Sequence, residues 1–204
     1  GKVWSIDTVA KNRSTSFYGT IVALDESPLE EGVLYVGTDD GLVQVTRDGG
    51  QNWTKAEEGL PTVEMGRAGI DVARSEPGTV YAVVSTEPPP RPEGAAPGRP
   101  GQQEEAEPLD PNRDGIFKST DYGVTWEKVN DWNNRPSYYS QIRVDPNDAD
   151  VFWAFASPMA YSDDGGVTVS SGPPVQGNTH IDYHAGWIDP NNSDHVIVGG
   201  DGGI

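Results

Sequence analysis

Thr46-Arg-Asp-Gly-Gly-Gln-Asn-Trp53 has two further copies in this chain, Ser119-Thr-Asp-Tyr-Gly-Val-Thr-Trp126 and Ser162-Asp-Asp-Gly-Gly-Val-Thr-Val169. The shared frame is Ser/Thr-x-Asp-x-Gly-x-x-Trp, with Val169 at the third Trp position. Asp48, Asp121 and Asp164 each offer a carboxylate that accepts backbone N–H bonds inside a tight turn. Gly50, Gly123 and Gly166 supply the positive φ that such a turn needs. Trp53 and Trp126 then open the following strand and cover the turn with an indole. Each copy reads as a stapled β-hairpin, and hairpins repeated at fixed spacing build a β-propeller.

The spacing agrees. A similar strand precedes each signature and appears once more at the end: Thr20–Asp25, Gly69–Ala73, Gln141–Pro146 and Gly186–Pro190. From Ile21 to Ile70, Ile142 and Trp187 the steps are 49, 72 and 45 residues. The long step contains Glu87–Arg113, 27 residues holding eight of the 17 prolines, and 72 − 27 = 45. One four-stranded propeller blade takes about 40–45 residues.

The expected fold is all-β, a propeller of four-stranded antiparallel blades. Blade 1 (17–60) has strands at Thr20–Asp25, Val33–Gly37, Leu42–Thr46 and Trp53–Ala56. Blade 2 (61–130) has Gly69–Ala73, Val80–Thr86, Ile116–Ser119 and Trp126–Val129. Blade 3 (137–172) has Gln141–Val144, Val151–Ala156, Ala160–Ser162 and Val167–Ser170. The last (180–204) has only Trp187–Asp189 and Val196–Gly199. These short runs are rich in Val, Ile, Tyr and Trp and bounded by turn residues, and no stretch has a capped helical period. About 3.5 blades fall short of the 4–8 that close a propeller. The expectation is therefore a fragment of a longer protein, whose remaining blades are its first partners.

Composition narrows the partners. A net charge of −18 argues against nucleic acid, which requires an excess of Lys and Arg. No apolar run approaches a membrane span, so no membrane insertion is expected. With no cysteine there is no disulfide, thiol nucleophile or cysteine-zinc site. Asn-x-Ser/Thr triplets at Asn12, Asn52 and Asn191 carry no weight by themselves.

The signatures, with Val33-Leu-Tyr-Val-Gly-Thr-Asp-Asp-Gly41, Arg135–Pro146 and His180–Pro190, resemble Asp-box (BNR) repeats of the large bacterial propeller proteins grouped with the sortilin-type domain and often labelled glycosyl hydrolase. The resemblance covers nearly the whole chain outside the insertion. It implies a secreted, periplasmic or cell-surface protein. Such boxes occur in sialidases, xyloglucanases, sortilin-type receptors and photosystem assembly factors alike, and in all of them the box is structural. No Arg-Ile-Pro motif or arginine triad accompanies them here, which disfavours sialidase chemistry.

In a propeller the first and third turns of each blade share one face. The second turns and the crossovers share the opposite face, where ligands usually bind. The signature aspartates fall on the first face and are excluded as catalytic. The second face receives Asp39, Asp40, Glu87–Arg113, Ser157–Met159, Asp201, Arg67, Trp132–Tyr139 and His180–His184. Trp132, Arg135, Tyr138 and Tyr139 form an aromatic-basic run, able to stack on sugar or peptide and to anchor a carboxylate. They serve equally well as a plug between blades. His180, Asp182 and His184 share one side of an extended segment and could hold a zinc ion, contact a polar ligand or bond backbone. No third protein ligand is evident, so no metal or cofactor is expected. Asp110-Pro-Asn-Arg-Asp-Gly115 with Asp121 echoes an EF-hand loop, but it lacks flanking helices and Asp121 is already committed to its turn. Glu87–Arg113 reads as a surface excursion or a lid.

Two functions follow. The first is a binding scaffold for peptide or carbohydrate, using Asp40, Arg67, Trp132, Arg135, Tyr138, Tyr139, His180, Asp182 and His184. The alternative is a glycoside hydrolase, with two carboxyl groups acting across a cleft. By resemblance to xyloglucanase turns of the Thr-Asp-x-Gly-Gly type, its acids would be Asp39 and Asp201. Asp-Gly is also the ordinary pair for a tight hairpin turn.

Overall fold

The computed structural model describes residues 19–86, 110–135, 138–170 and 180–203. Among these there are thirteen strands and no helix. The first sheet runs in the order β1 (Ile21–Glu26), β2 (Leu34–Thr38), β3 (Val43–Thr46) and β4 (Thr54–Lys55). The second repeats it with β5 (Met65–Val72), β6 (Val80–Thr86), β7 (Gly115–Ser119) and β8 (Glu127–Asn130). The third has β9 (Gln141–Asp145), β10 (Asp148–Phe155) and β11 (Ala160–Ser162), and the last has β12 (Tyr183–Asp189) and β13 (Asn192–Gly200). Every pairing is antiparallel.

Strand order matches the sequence expectation, with differences in extent: β10, β12 and β13 begin three or four residues earlier than expected, at Asp148, Tyr183 and Asn192. β5 begins at Met65 rather than Gly69, because a bulge between Met65 and Ala68 lets the crossover join the ladder. The outer strand expected at Val167–Ser170 contracts to a single bridge between Tyr161 and Ser170. Val167 is 71 % exposed there, so little apolar surface holds a longer strand. Most of the Glu87–Arg113 insertion lies outside the described residues. Its last residues, Asp110–Arg113, form a turn closed by the Arg113 N–H on the Asp110 carbonyl at 3.1 Å.

The core lies between sheets, not within one. β6 shows why: its side chains alternate faces with period two. Val80, Ala82 and Val84 pack toward the first sheet, against Tyr35, Val43 and Val45. Tyr81 and Val83 point the other way, against Ile142, Val144 and Phe152 of the third sheet. Trp153 and Phe155 repeat the step toward Tyr183, Ile188 and Val198 of the last. Burying each large apolar side chain contributes about 1.5–3 kcal/mol, so each inter-sheet layer is a principal source of stability.

Close backbone approaches fix these layers. A Cβ on Gly59, which has φ 84°, would lie 1.7 Å from the Trp126 carbonyl oxygen. Here the Trp126 N–H donates to the Glu58 carbonyl at 2.9 Å, tying the end of the first sheet to the second. Gly123 likewise sits against Tyr35 and Val45, so the signature turn of the second sheet covers the first.

Candidate functional site

The three signature turns share one geometry. Thr46 Oγ1 donates to Asp48 at 2.8 Å and accepts the Gly50 N–H at 2.9 Å. Ser119 with Asp121 and Gly123, and Ser162 with Asp164 and Gly166, repeat both bonds. The Asp48 carboxyl is held down at about 2, chiefly by the Asn52 backbone N–H and side-chain amide. Asp121 also sits at about 2. Desolvation pushes it up, but the Thr125 backbone N–H and hydroxyl outweigh that effect. Asp164 is lowered first by the Thr168 backbone N–H. Carboxylates so saturated make poor proton donors or nucleophiles. Trp126 lies 5 % exposed and donates its indole N–H to the Gly123 carbonyl.

These turns share a face with the first hairpin turns. Gly49 N–H reaches the Gly32 carbonyl, Tyr122 N–H the Gly78 carbonyl, and Gly165 N–H the Asp150 carbonyl, each at 2.9 Å. The opposite face collects the second turns and the crossovers. Asp39 accepts the N–H groups of Gly19 and Thr20 there, both at 2.7 Å. Its neighbour Asp40 takes part in a turn like the signatures: Thr38 Oγ1 donates to it at 2.6 Å and accepts the Leu42 N–H. Turn closure thus accounts for Asp40, which is 9 % exposed.

On this second face the chain brings together residues that are far apart in sequence. Arg135, at φ 60°, turns the crossover so that the N–H groups of Tyr138 and Tyr139 both reach its carbonyl. Its guanidinium lies 5.5 Å from the Tyr138 ring centroid and 5.4 Å from that of Tyr139. The two rings meet edge to face at 4.9 Å, and His184 lies 4.9 Å from Tyr139. Asp182 sits beneath. The Ser157 hydroxyl and then the Tyr139 hydroxyl hold its carboxyl below the usual range, with His180 and Arg135 adding to this. Burial, then Asp182, pushes the Tyr139 hydroxyl up. His184 Nε2 lies 3.0 Å from Asp201.

Tyr139 is 2 % exposed and works as a plug, whereas Tyr138 is 56 % exposed and presents its ring to solvent. Arg135 stands 3.9 Å from Asp182, beyond a good hydrogen bond, and its side chain is 57 % exposed. The cluster therefore offers an oriented guanidinium beside an open aromatic face. Sequence reading named these residues in three separate groups. Only the fold unites them and adds Ser157 as the hydroxyl that fixes Asp182.

Trp132 and Arg67 stand apart from the cluster. Trp132 packs, partly buried, against the layer around Tyr81 and Phe152. Arg67 Nε is buried with no hydrogen-bond partner among the described residues, and the Arg67 carbonyl accepts the Ser85 hydroxyl. His180 Nδ1 lies 3.4 Å from Asp182, while His184 is engaged with Asp201. Among the described residues no three His, Cys, Asp or Glu side chains are arranged to hold a metal ion.

A further set was missed by sequence reading. Asp25, Asp71, Arg143 and Trp187 occupy equivalent places on the innermost strands, opposite Tyr35, Tyr81, Trp153 and Ile197. Asp25 accepts the Val72 N–H and Asp71 the Val144 N–H, both at 2.7 Å, so each acid bonds the inner strand of the next sheet. Asp71 is pushed up to about 8, first by desolvation and then by Asp25, with which it shares a hydrogen bond. Arg143 lies 3.4 Å away and opposes that rise. The available signal was a charged residue alternating with apolar ones in a strand opposite a large buried aromatic.

No family model matches the sequence, and no curated protein matches it significantly. Among solved structures, the chain is similar to the GH74 enzyme of Niastella koreensis, with a TM-score of 0.56 and 15 % identity over 91 % of this chain and 27 % of the enzyme. It is also similar to the GH74 xyloglucanase of Xanthomonas campestris, with a TM-score of 0.56 and 16 % identity over 89 % of this chain and 28 % of the enzyme. The chain thus spans little more than a quarter of either enzyme's length. At such identities the likeness speaks to architecture alone, and with the antiparallel sheets and inter-sheet cores above it identifies a propeller-type all-β fold.

Proposed function

We propose that this chain is part of an Asp-box propeller outside the cytoplasm, acting as a binding scaffold for peptide or carbohydrate. The observation that carries this reading is Arg135 lying over Tyr138 and Tyr139, with the Tyr138 ring 56 % exposed. Such a pair stacks on a flat ligand surface while the guanidinium takes up a polar group. The repeated Ser/Thr–Asp turns support the Asp-box assignment, and secretion follows from that resemblance.

Glycoside hydrolysis is the second reading, favoured by the likeness to GH74 enzymes. It requires two free carboxyl groups about 5–9.5 Å apart. Asp39 is engaged with the backbone of Gly19 and Thr20, and Asp201 with His184. Both acids are thus already engaged, Asp39 by backbone ahead of β1 and Asp201 by a β12 side chain, which weighs toward binding.

The test is a glycan and peptide array probed with the intact protein and with its Tyr138→Ala and Asp39→Asn variants. Ligand capture lost with Tyr138→Ala and kept with Asp39→Asn, with no product released, is the expected result. Sugar release abolished by Asp39→Asn overturns the scaffold reading in favour of the hydrolase.

A further inference from the structure

The innermost strands enclose a cavity of about 370 Å³ lined by Leu24, Asp25, Asp71, Arg74, Arg143 and Trp187, among others. This volume falls in the range of about 300–1,000 Å³ typical of small-molecule sites. Leu24 is 64 % and Trp187 48 % exposed, so both turn uncovered apolar surface toward solvent. The Asp71 side chain, by contrast, is only 14 % exposed. None of these residues belongs to the loop-face cluster.

The lining chemistry selects the ligand. Two carboxyl groups, Asp25 and Asp71, and two guanidinium groups, Arg74 and Arg143, line it together, so hydrogen-bond acceptors and fixed donors face the same space. A small anion entering it meets the carboxyl pair, and a small cation meets the arginines. A neutral ligand with alternating hydroxyls avoids both penalties and uses both donors and acceptors. The Trp187 indole supplies a flat apolar surface for the C–H face of a ring.

We infer that this axial cavity binds a neutral pyranose sugar, its ring stacked on Trp187 and its hydroxyls shared between the Asp25–Asp71 carboxyl pair and Arg143. The raised Asp71 carboxyl suits the task, since in its protonated form it adds an O–H donor to the lining. The pair does not suit hydrolysis. Glycosidase carboxyl groups stand at least about 5 Å apart, whereas these two hydrogen-bond each other. The site binds without cleaving.

Saturation-transfer NMR on the intact protein with methyl glucopyranoside and methyl xylopyranoside tests this, with acetate and methylamine as charged competitors. The expected result is saturation of pyranoside C–H protons, unaffected by either charged probe. Trp187→Ala weakens binding by about ten-fold or more, while Val167→Ala, at a 71 % exposed position outside the cavity lining, leaves it unchanged. Arg143→Gln, which keeps the indole, weakens it too and serves if Trp187→Ala fails to fold. Absence of saturation by both pyranosides, equal binding by Trp187→Ala, or displacement by acetate or methylamine overturns the inference.

Discussion

Asp71→Asn removes an ionisable group while keeping an oxygen that can accept the Val144 N–H. In the folded protein the Asp71 carboxyl is raised from an ordinary 3.8 to about 8. The groups facing it are Asp25 on β1, Arg143 on β9, and Arg74 just beyond β5, across the same cavity. The sign follows from proton linkage. Between these two values the folded chain keeps a proton that the unfolded chain has released, so stability is fully present below about pH 4 and is lost as pH rises through about 8. Each pH unit in that interval costs at most about 1.4 kcal/mol. With residual solvent screening, about 2–3 kcal/mol is lost between pH 5 and pH 8. Asp48, Asp121, Asp164 and Asp182 are lowered, so their contribution is present above pH 4 and lost only as pH falls below it. They leave the pH 5–8 window clear. Urea denaturation of both proteins at pH 5, 6, 7 and 8 gives the comparison. The variant gains on the parent steadily with pH. Parallel curves, differing by a constant within about 0.5 kcal/mol, would refute the shared-proton account.

Two further outcomes concern the scaffold. Asp121→Ala removes the acceptor for the N–H groups of Val124 and Thr125 and for the hydroxyls of Ser119 and Thr125, so thermal unfolding shows a loss of about 1–2 kcal/mol. Gly59→Ala drives a methyl against the Trp126 carbonyl and costs about 2–4 kcal/mol. Gly49→Ala, left-handed at φ 65° but with open space around it, costs about 1 kcal/mol, and equal losses at the two sites would remove the role given to the Gly59–Trp126 contact.

The hairpins were legible because their information is local. Thr46, Asp48 and Gly50 lie within five residues of one another, and their hydrogen bonds close inside that span. Strand order was legible for the same reason, since each strand pairs with its neighbour in sequence. The loop-face cluster was legible only in pieces. Tyr139 and Asp182 are more than forty residues apart, and nothing in either segment says that the crossover before β9 meets the one before β12. The axial acids left only a faint signal, a charged residue alternating with apolar ones. Asp25 and Asp71 look like ordinary solvent-facing positions of alternating strands, and only the stacking of sheets turns that face inward. Asp40 has a turn role that the sequence reading left out. Its carboxylate, read as a ligand contact, closes a turn of the same kind as the signatures it precedes.

The signature turn of one sheet rests on the sheet before it: Gly123 on Tyr35 and Val45, then Gly166 on Val129. Each of these two joints therefore joins half of one repeat to half of the next. A gene segment duplicated or deleted in units of one repeat carries a complete set of joint halves and re-forms them at the new junction. A segment of any other length separates a turn from the surface that receives it. Length change is tolerated instead on the opposite face, where the 27-residue Glu87–Arg113 excursion falls between β6 and β7. The same offset makes assembly directional, because each sheet stays unroofed until its successor emerges from the ribosome. Growth and evolutionary lengthening of the chain thus obey one rule, the addition of whole, phase-matched tiles.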